Sequence, residues 1–159
     1  MSEQPAVDST DLAILDLLQS DGRLSNAEVA RRLGLATSTV FERVRKLEQR
    51  GVIRGFQARV DPKAVGYGVT AFVFVEAADV AREDEVERAL LAMPEVLELH
   101  KIAGADAFLA KVRASDNESL GSRLREGVES AGARSIRTTI VLATAREESR
   151  LDLSHLRAG

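Results

Sequence analysis

Apolar residues recur at helical spacing through the first third of the chain, then give way to short alternating runs. That change of period divides the sequence into two parts. In the first part, residues 11–20 place Leu12, Ile14, Leu15, Leu17 and Leu18 on one stripe between polar positions, which predicts an amphipathic helix. A second helix is predicted from Ser25, where Ser25 and Glu28 spell an S-x-x-E capping box, and it buries Ala27, Val29, Ala30 and Leu33. Gly34 ends that helix, because the residue just past a helix often needs positive φ, which glycine adopts without steric penalty. About three residues later a third helix begins, spanning 37–49 and closed by Gly51.

In this third helix Val40, Val44 and Leu47 fall at i, i+4 and i+7 and must face inward, with Phe41 on the flank. At 100° per residue the opposite side carries Ser38, Thr39, Glu42, Arg45, Lys46 and Gln49, with Arg43 at its edge. Every one of these side chains hydrogen-bonds. The segment is roughly 20 Å long, enough to lie in a major groove. Its short hydroxyls, Thr37, Ser38 and Thr39, stand at the tip that approaches bases, and its cations point toward flanking phosphates. Two helices joined by a short turn in this way make a helix-turn-helix. A short turn between two helices is also common in proteins that never touch DNA, and Glu42 repels phosphate unless it pairs with Arg45 or Lys46 or accepts from a cytosine amine. After Gly51, Phe56, Ala58 and Val60 alternate against Gln57 and Arg59, as in an extended strand or small wing.

From Pro62 the glycine-containing run "KAVGYGV" reads as a linker into a different pattern. Strands are predicted at 70–77, 95–103, 106–114 and 133–145, with helices at 81–93 and 116–129. The order βαββαβ gives a four-stranded antiparallel sheet with both helices on one face. In the first strand Phe72 and Phe74 point one way and Val73 and Val75 the other; in the last, Ile140 and Leu142 oppose Val141. Strands apolar on both sides call for cover on both sides, and the chain holds no third layer. A second copy supplies the cover, which predicts a homodimer through the sheet. The alternative is a monomer that tolerates the exposed strands.

Charge sharpens the reading of the helical part. The chain has 159 residues, 45% of them hydrophobic and 30% charged, with a net charge of −3. That total hides a contrast. Residues 1–30 hold six carboxylates against Arg23 alone, net −5, whereas residues 31–59 hold eight cations against Glu42 and Glu48, net +6. A basic island in an acidic chain suits a polyanion meeting one surface, or else a solvated helix face. No cysteine is present, so there is no disulfide or thiolate site, and His100 and His155 lie too far apart in sequence to suggest zinc. No cofactor is expected. No apolar run is long enough to cross a bilayer and no secretory leader is apparent, so the expected compartment is the cytoplasm. An enzyme is the principal rival reading. Glu98 and His100 alternate on one strand face and could form an acid–base pair, but no nucleophile motif, phosphate loop or metal spacing accompanies them. A second rival uses the helical part for protein contacts.

The stretch "SNAEVARRLGLATSTVFERVRKLEQRGVIRGFQARVDPKAVGYG", followed by a βαββαβ domain containing "IAGADAFLAKV", resembles the Lrp/AsnC (feast/famine) family of bacterial and archaeal transcriptional regulators. The resemblance covers residues 8–145. It implies an α+β chain with an N-terminal winged helix-turn-helix domain at 1–52 and a strand or linker at 53–68. A ferredoxin-like βαββαβ effector-sensing and oligomerisation domain follows at 69–145, and a tail at 146–159. The implied partners are double-stranded DNA, contacted by Thr37, Ser38, Thr39, Arg43, Arg45, Lys46, Gln49 and Arg54, and further copies of the chain as a homodimer or octamer. The resemblance also implies a small effector, often an amino acid, at Gly104, Asp106 and Thr138. Physically, glycine admits close approach and a carboxylate can hold an ammonium; the same residues also suit an ordinary hairpin turn. Many members carry an acidic residue directly after the glycine and an aspartate two further on. Here those places are Ala105 and Ala107, with Asp106 between them.

Overall fold

A computed structural model describes residues 7–157 of the chain. The chain divides into two compact units, with the breaks at Arg59/Val60 and Arg146/Glu147.

The first unit contains three helices, α1 (Ser9–Ser20), α2 (Asn26–Leu33) and α3 (Thr37–Gln49). Ile14, Leu18, Val29, Ala30 and Val40 form its core, with Leu17, Leu33, Val44 and Ile53 packed around them. Leu47 is also fully buried. Each of these larger side chains contributes about 1.5–3 kcal/mol on leaving water. Ala27, expected inside, is exposed, because α2 turns Val29, Ala30 and Leu33 to its neighbours and Ala27 falls off that edge. Gly34 takes φ +67° as the α2 terminus requires.

The helix starts differ from the sequence reading. Ser25 accepts from the Glu28 N–H at 3.2 Å, but the Glu28 carboxylate turns to Arg31 and Arg32, at 2.7 and 2.8 Å, in place of completing the box. Two guanidinium groups one turn on outbid a single backbone N–H. A reciprocal capping box forms instead at α1, where Asp8 accepts from the Asp11 N–H at 2.8 Å and Asp11 accepts from the Asp8 N–H at 3.4 Å. Residues 54–60 are not part of any ladder among the described residues, so the alternation at Phe56, Ala58 and Val60 finds no strand partner within the chain.

The tail expected as a separate segment packs with this unit. Gln19 makes two hydrogen bonds with the backbone of Leu151, donating at 3.2 Å and accepting at 2.7 Å; Arg150 pairs with Asp16 at 2.8 Å, and Arg59 donates to the Glu147 carbonyl. Asp16 and Gln19 stand three residues apart, one above the other on the same face of α1.

The second unit begins with a 3₁₀ turn over Lys63–Val65, in place of a plain linker, ended by Gly66. The elements that follow are β1 (Val69–Ala77), α4 (Glu83–Leu91), β2 (Val96–Lys101), β3 (Phe108–Ala114), α5 (Asn117–Leu124), continued by a π turn over Arg125–Glu129, and β4 (Ala133–Ile140). Gly68 is obligatory here, since a Cβ at that position would lie 2.7 Å from the Ser115 carbonyl oxygen. The sheet order is β2-β3-β1-β4, antiparallel throughout. Ala71, Val73, Val75, Phe108, Ala110 and Val112 meet Val86, Leu90, Leu120, Leu124 and Val128 in the core, so both helices lie on one face.

The opposite face carries Phe72 and Phe74 of β1, Leu109 and Lys111 of β3, and Arg137 and Thr139 of β4, which the registers place side by side. No helix of this unit covers it, and Phe72 stays 38% exposed. One detail departs from the sequence reading: β4 ends at Ile140, short of the expected 145. Ile140 pairs with Ala71 and so shares the helix side, and Leu142 lies beyond the end of β4, 96% exposed.

Candidate nucleic-acid interface

The outward side of α3 is built by elimination. Once Val40 and Leu47 are sunk in the core, the helix period leaves Thr37, Ser38, Thr39, Glu42, Arg45, Lys46 and Gln49 exposed, with Arg54 exposed just beyond it. The residue before the helix, Ala36, has no side-chain oxygen, and the first turn has no side-chain cap. The N–H groups of Thr37 and Ser38 are therefore left to solvent or to a ligand. Glu42 lies 3.6 Å from Arg45, a loose and exposed pair of the kind expected one turn apart.

Arg43, expected among the DNA-contacting residues, is engaged within its own unit. Its guanidinium reaches back to α1, to Asp8 at 2.6 Å and Asp11 at 2.8 Å. Asp11 is 6% exposed, and Arg43 is its charge partner. The backbone N–H of Asp11, and after it Arg43, hold the Asp8 carboxyl below its usual value of 3.8, while the carboxylates of Asp8 and Asp11 raise Arg43. Arg43 thus ties α3 to the start of α1 and neutralises two carboxylates that line the concavity beside Ser38, Lys46 and Arg50. Nothing local in the sequence marks this role, because its partners lie 35 and 32 residues away.

In the second unit Gly104 is exposed at φ +152°, in the loop between β2 and β3. Asp106 is paired with Arg137 at 2.7 Å, and the Arg137 guanidinium lies 4.3 Å above the Phe74 ring. Arg137 was not anticipated. The signal available was its place in β4, but its register with Phe74 is a tertiary fact. Thr138 pairs with Val73 and faces the helix side, whereas Arg137 faces the other. The structure therefore brings Asp106 and Arg137 together but places Thr138 on the opposite face. Glu98, His100 and Lys111 cluster on the open face, Glu98 lying 3.7 Å from His100 and 3.2 Å from Lys111. Among the described residues no group of side chains is arranged to hold a metal ion, and no helix is long and apolar enough to cross a membrane.

A basic, groove-sized helix in a three-helix unit, joined to an antiparallel α/β unit, defines a two-domain helix-turn-helix regulator. Residues 7–54 match the family model for winged helix-turn-helix DNA-binding, and residues 70–151 match that for the Lrp/AsnC ligand binding domain. Among curated relatives, the HTH-type transcriptional regulator FL11 of Pyrococcus horikoshii is 35% identical over 92% of this chain and 97% of its own length. The regulator LrpA of Mycobacterium tuberculosis is 36% identical over 87% and 92%. A Neisseria meningitidis transcriptional regulator in complex with L-methionine superposes with a TM-score of 0.88 at 27% identity, covering 95% of this chain and 99% of that one. A feast or famine regulatory protein of M. tuberculosis, also complexed with L-methionine, gives 0.85 at 34% identity, covering 92% and 99%. The chain belongs to the Lrp/AsnC family. It is a DNA-binding transcriptional regulator with a ligand-binding domain, and its relatives are regulators, so Glu98 and His100 are not read as an enzyme's acid and base.

Proposed function

We propose that the chain works in the cytoplasm as a homodimer that sets two α3 helices into successive major grooves of a roughly palindromic site, about 34 Å apart or a multiple of that. The observation that carries the reading is the outward face of α3: hydroxyls at its tip, Arg45, Lys46 and Gln49 along it, and first-turn amides without a side-chain cap. Thr37, Ser38 and Thr39 meet base edges. Arg45, Lys46, Gln49 and Arg54 hold phosphates and flanking bases, and the uncapped amides favour a phosphate. Arg43 acts behind this surface, through α1. Dimers form through the open sheet face around Phe72 and Leu109, and further association of dimers gives the octamer.

A small effector, an amino acid such as the L-methionine held by two similar structures, binds at the loop of Gly104 and Asp106. The Asp106–Arg137 pair supports this, since a zwitterion offers an ammonium to the carboxylate and a carboxylate to the guanidinium. Thr138 lies on the other face of β4, so a neighbouring copy would have to supply it. The test is protection mapping on genomic DNA with and without a panel of amino acids. Salt-dependent protection of a near-palindrome, with a log–log slope near −5 for about six phosphate contacts, supports the reading. Indifference to every fragment at low ionic strength ends it.

A further inference from the structure

We propose that Phe41 is a specificity-determining residue that reads the 5-methyl group of thymine in the major groove. The inference rests on α3 entering that groove. Phe41 is 51% exposed, the largest apolar side chain on the helix, while Val40 and Leu47 take the buried positions. It follows Thr37 by four residues and Ser38 by three, and precedes Arg45 by four, so the helix period sets it among the residues assigned to base and phosphate contact. Those neighbours donate and accept hydrogen bonds, and a phenyl ring can do neither. Of the groups that a base pair displays at its major-groove edge, the thymine methyl is the apolar one, and it is the group that a phenyl edge complements. Phe41 thereby adds to the hydroxyl and guanidinium readout a preference for A·T pairs at one fixed position in each half-site.

The competing occupant of this ring is a second copy of the chain, and the experiment separates the two. Using the full-length protein and its mapped site, each thymine is replaced in turn by deoxyuridine, which removes the methyl and leaves every hydrogen-bonding atom in place. The parent protein is expected to lose about fourfold in affinity at one symmetry-related thymine position, the factor that one methyl group taken out of water corresponds to. Phe41→Ala binds the thymine duplex more weakly and shows no further loss with deoxyuridine, and Phe41→Leu keeps part of the discrimination. The proposal is overturned if the parent ignores every deoxyuridine, or if Phe41→Ala keeps the same penalty at the same position. It is also overturned if Phe41→Ala alters sedimentation without DNA while leaving the thymine preference intact. These failures, with salt-dependent binding preserved, remove only Phe41; absence of any duplex binding removes the groove reading as well.

Discussion

Arg43 and Arg45 sit two residues apart on the same helix, and their surroundings differ: Arg43 pairs with Asp8 and Asp11 of α1, whereas Arg45 has only the loose pair with Glu42. Replacing Arg43 by alanine removes the guanidinium from Asp11, whose side chain is 9% exposed, and from the more exposed Asp8. Leaving a buried acceptor without its partner costs about 1–3 kcal/mol, and more for a charge kept fully dry; with Arg43 32% exposed, water reaches this pair and the lower figures apply. Asp11 keeps its contact with the Asp8 N–H, so the lower half of that range, about 1–2 kcal/mol, is expected. For a unit of this size that lowers Tm by roughly 4–16 °C. Arg45→Ala breaks only the exposed 3.6 Å pair with Glu42, which is worth at most about 1 kcal/mol and often nothing. Thermal melting of the full chain, with hydrogen exchange followed over residues 9–20, reads the first effect. DNA titrations across a salt series, well below the melting range, read the second. Arg43→Ala melts early and exchanges faster in α1 with the parent's salt slope. Arg45→Ala melts like the parent and loses about one unit of slope if it holds a phosphate. A variant at Arg43 that is as stable as the parent but one unit shallower in salt would refute the assignment and return Arg43 to the DNA surface.

The tail contact predicts that Gln19→Ala, which deletes two hydrogen bonds to Leu151, costs about 1–2 kcal/mol and raises hydrogen exchange in α1 and residues 147–157; unchanged protection there would show that the tail is not held. Acid sensitivity is expected low on the pH scale. A carboxylate held below its ordinary value stabilises the fold fully above its unfolded pKa and loses that contribution as pH falls through the folded one. Asp8 therefore contributes above 3.8 and Glu28, lowered from 4.5 to about 2 by hydrogen bonds from Arg31 and Arg32, above 4.5. Denaturant titrations followed by circular dichroism should give equal contributions from these groups at pH 7 and 5.5 and a loss toward pH 3; Asp8→Asn and Glu28→Gln variants that remove a fall between pH 7 and 5.5 would contradict this. Phe72→Asp, on the open sheet face, should shift sedimentation toward the monomer with the fold intact, and an unchanged oligomer would place the dimer contact elsewhere.

Much of the architecture follows from local pattern. The apolar stripe of residues 12–18 forms α1, α3 begins at Thr37 and ends at Gln49, Gly34 takes the left-handed turn, and alternation in 69–77 and 108–114 marks strands whose inner positions are buried. These features depend on neighbours within a turn or two of the chain, which is the range over which periodicity and steric preference act. The exposed identity of most of the α3 face follows likewise, because burying Val40 and Leu47 fixes the direction of everything between them.

What the chain order leaves open are competitions for a partner distant in sequence. Arg43 lies near the outward face by helix period, and only the packing of α1 against α3 brings Asp8 and Asp11 to it. Asp106 reads as a free loop carboxylate until β4 lies beside β1 and presents Arg137 over Phe74. The tail shows no motif, yet Gln19 and Asp16 hold it across 132 and 134 residues. A side chain's charge and length are written in sequence, but which opposite charge it meets is decided when separate elements pack, because the partners lie on elements that only the tertiary fold brings side by side.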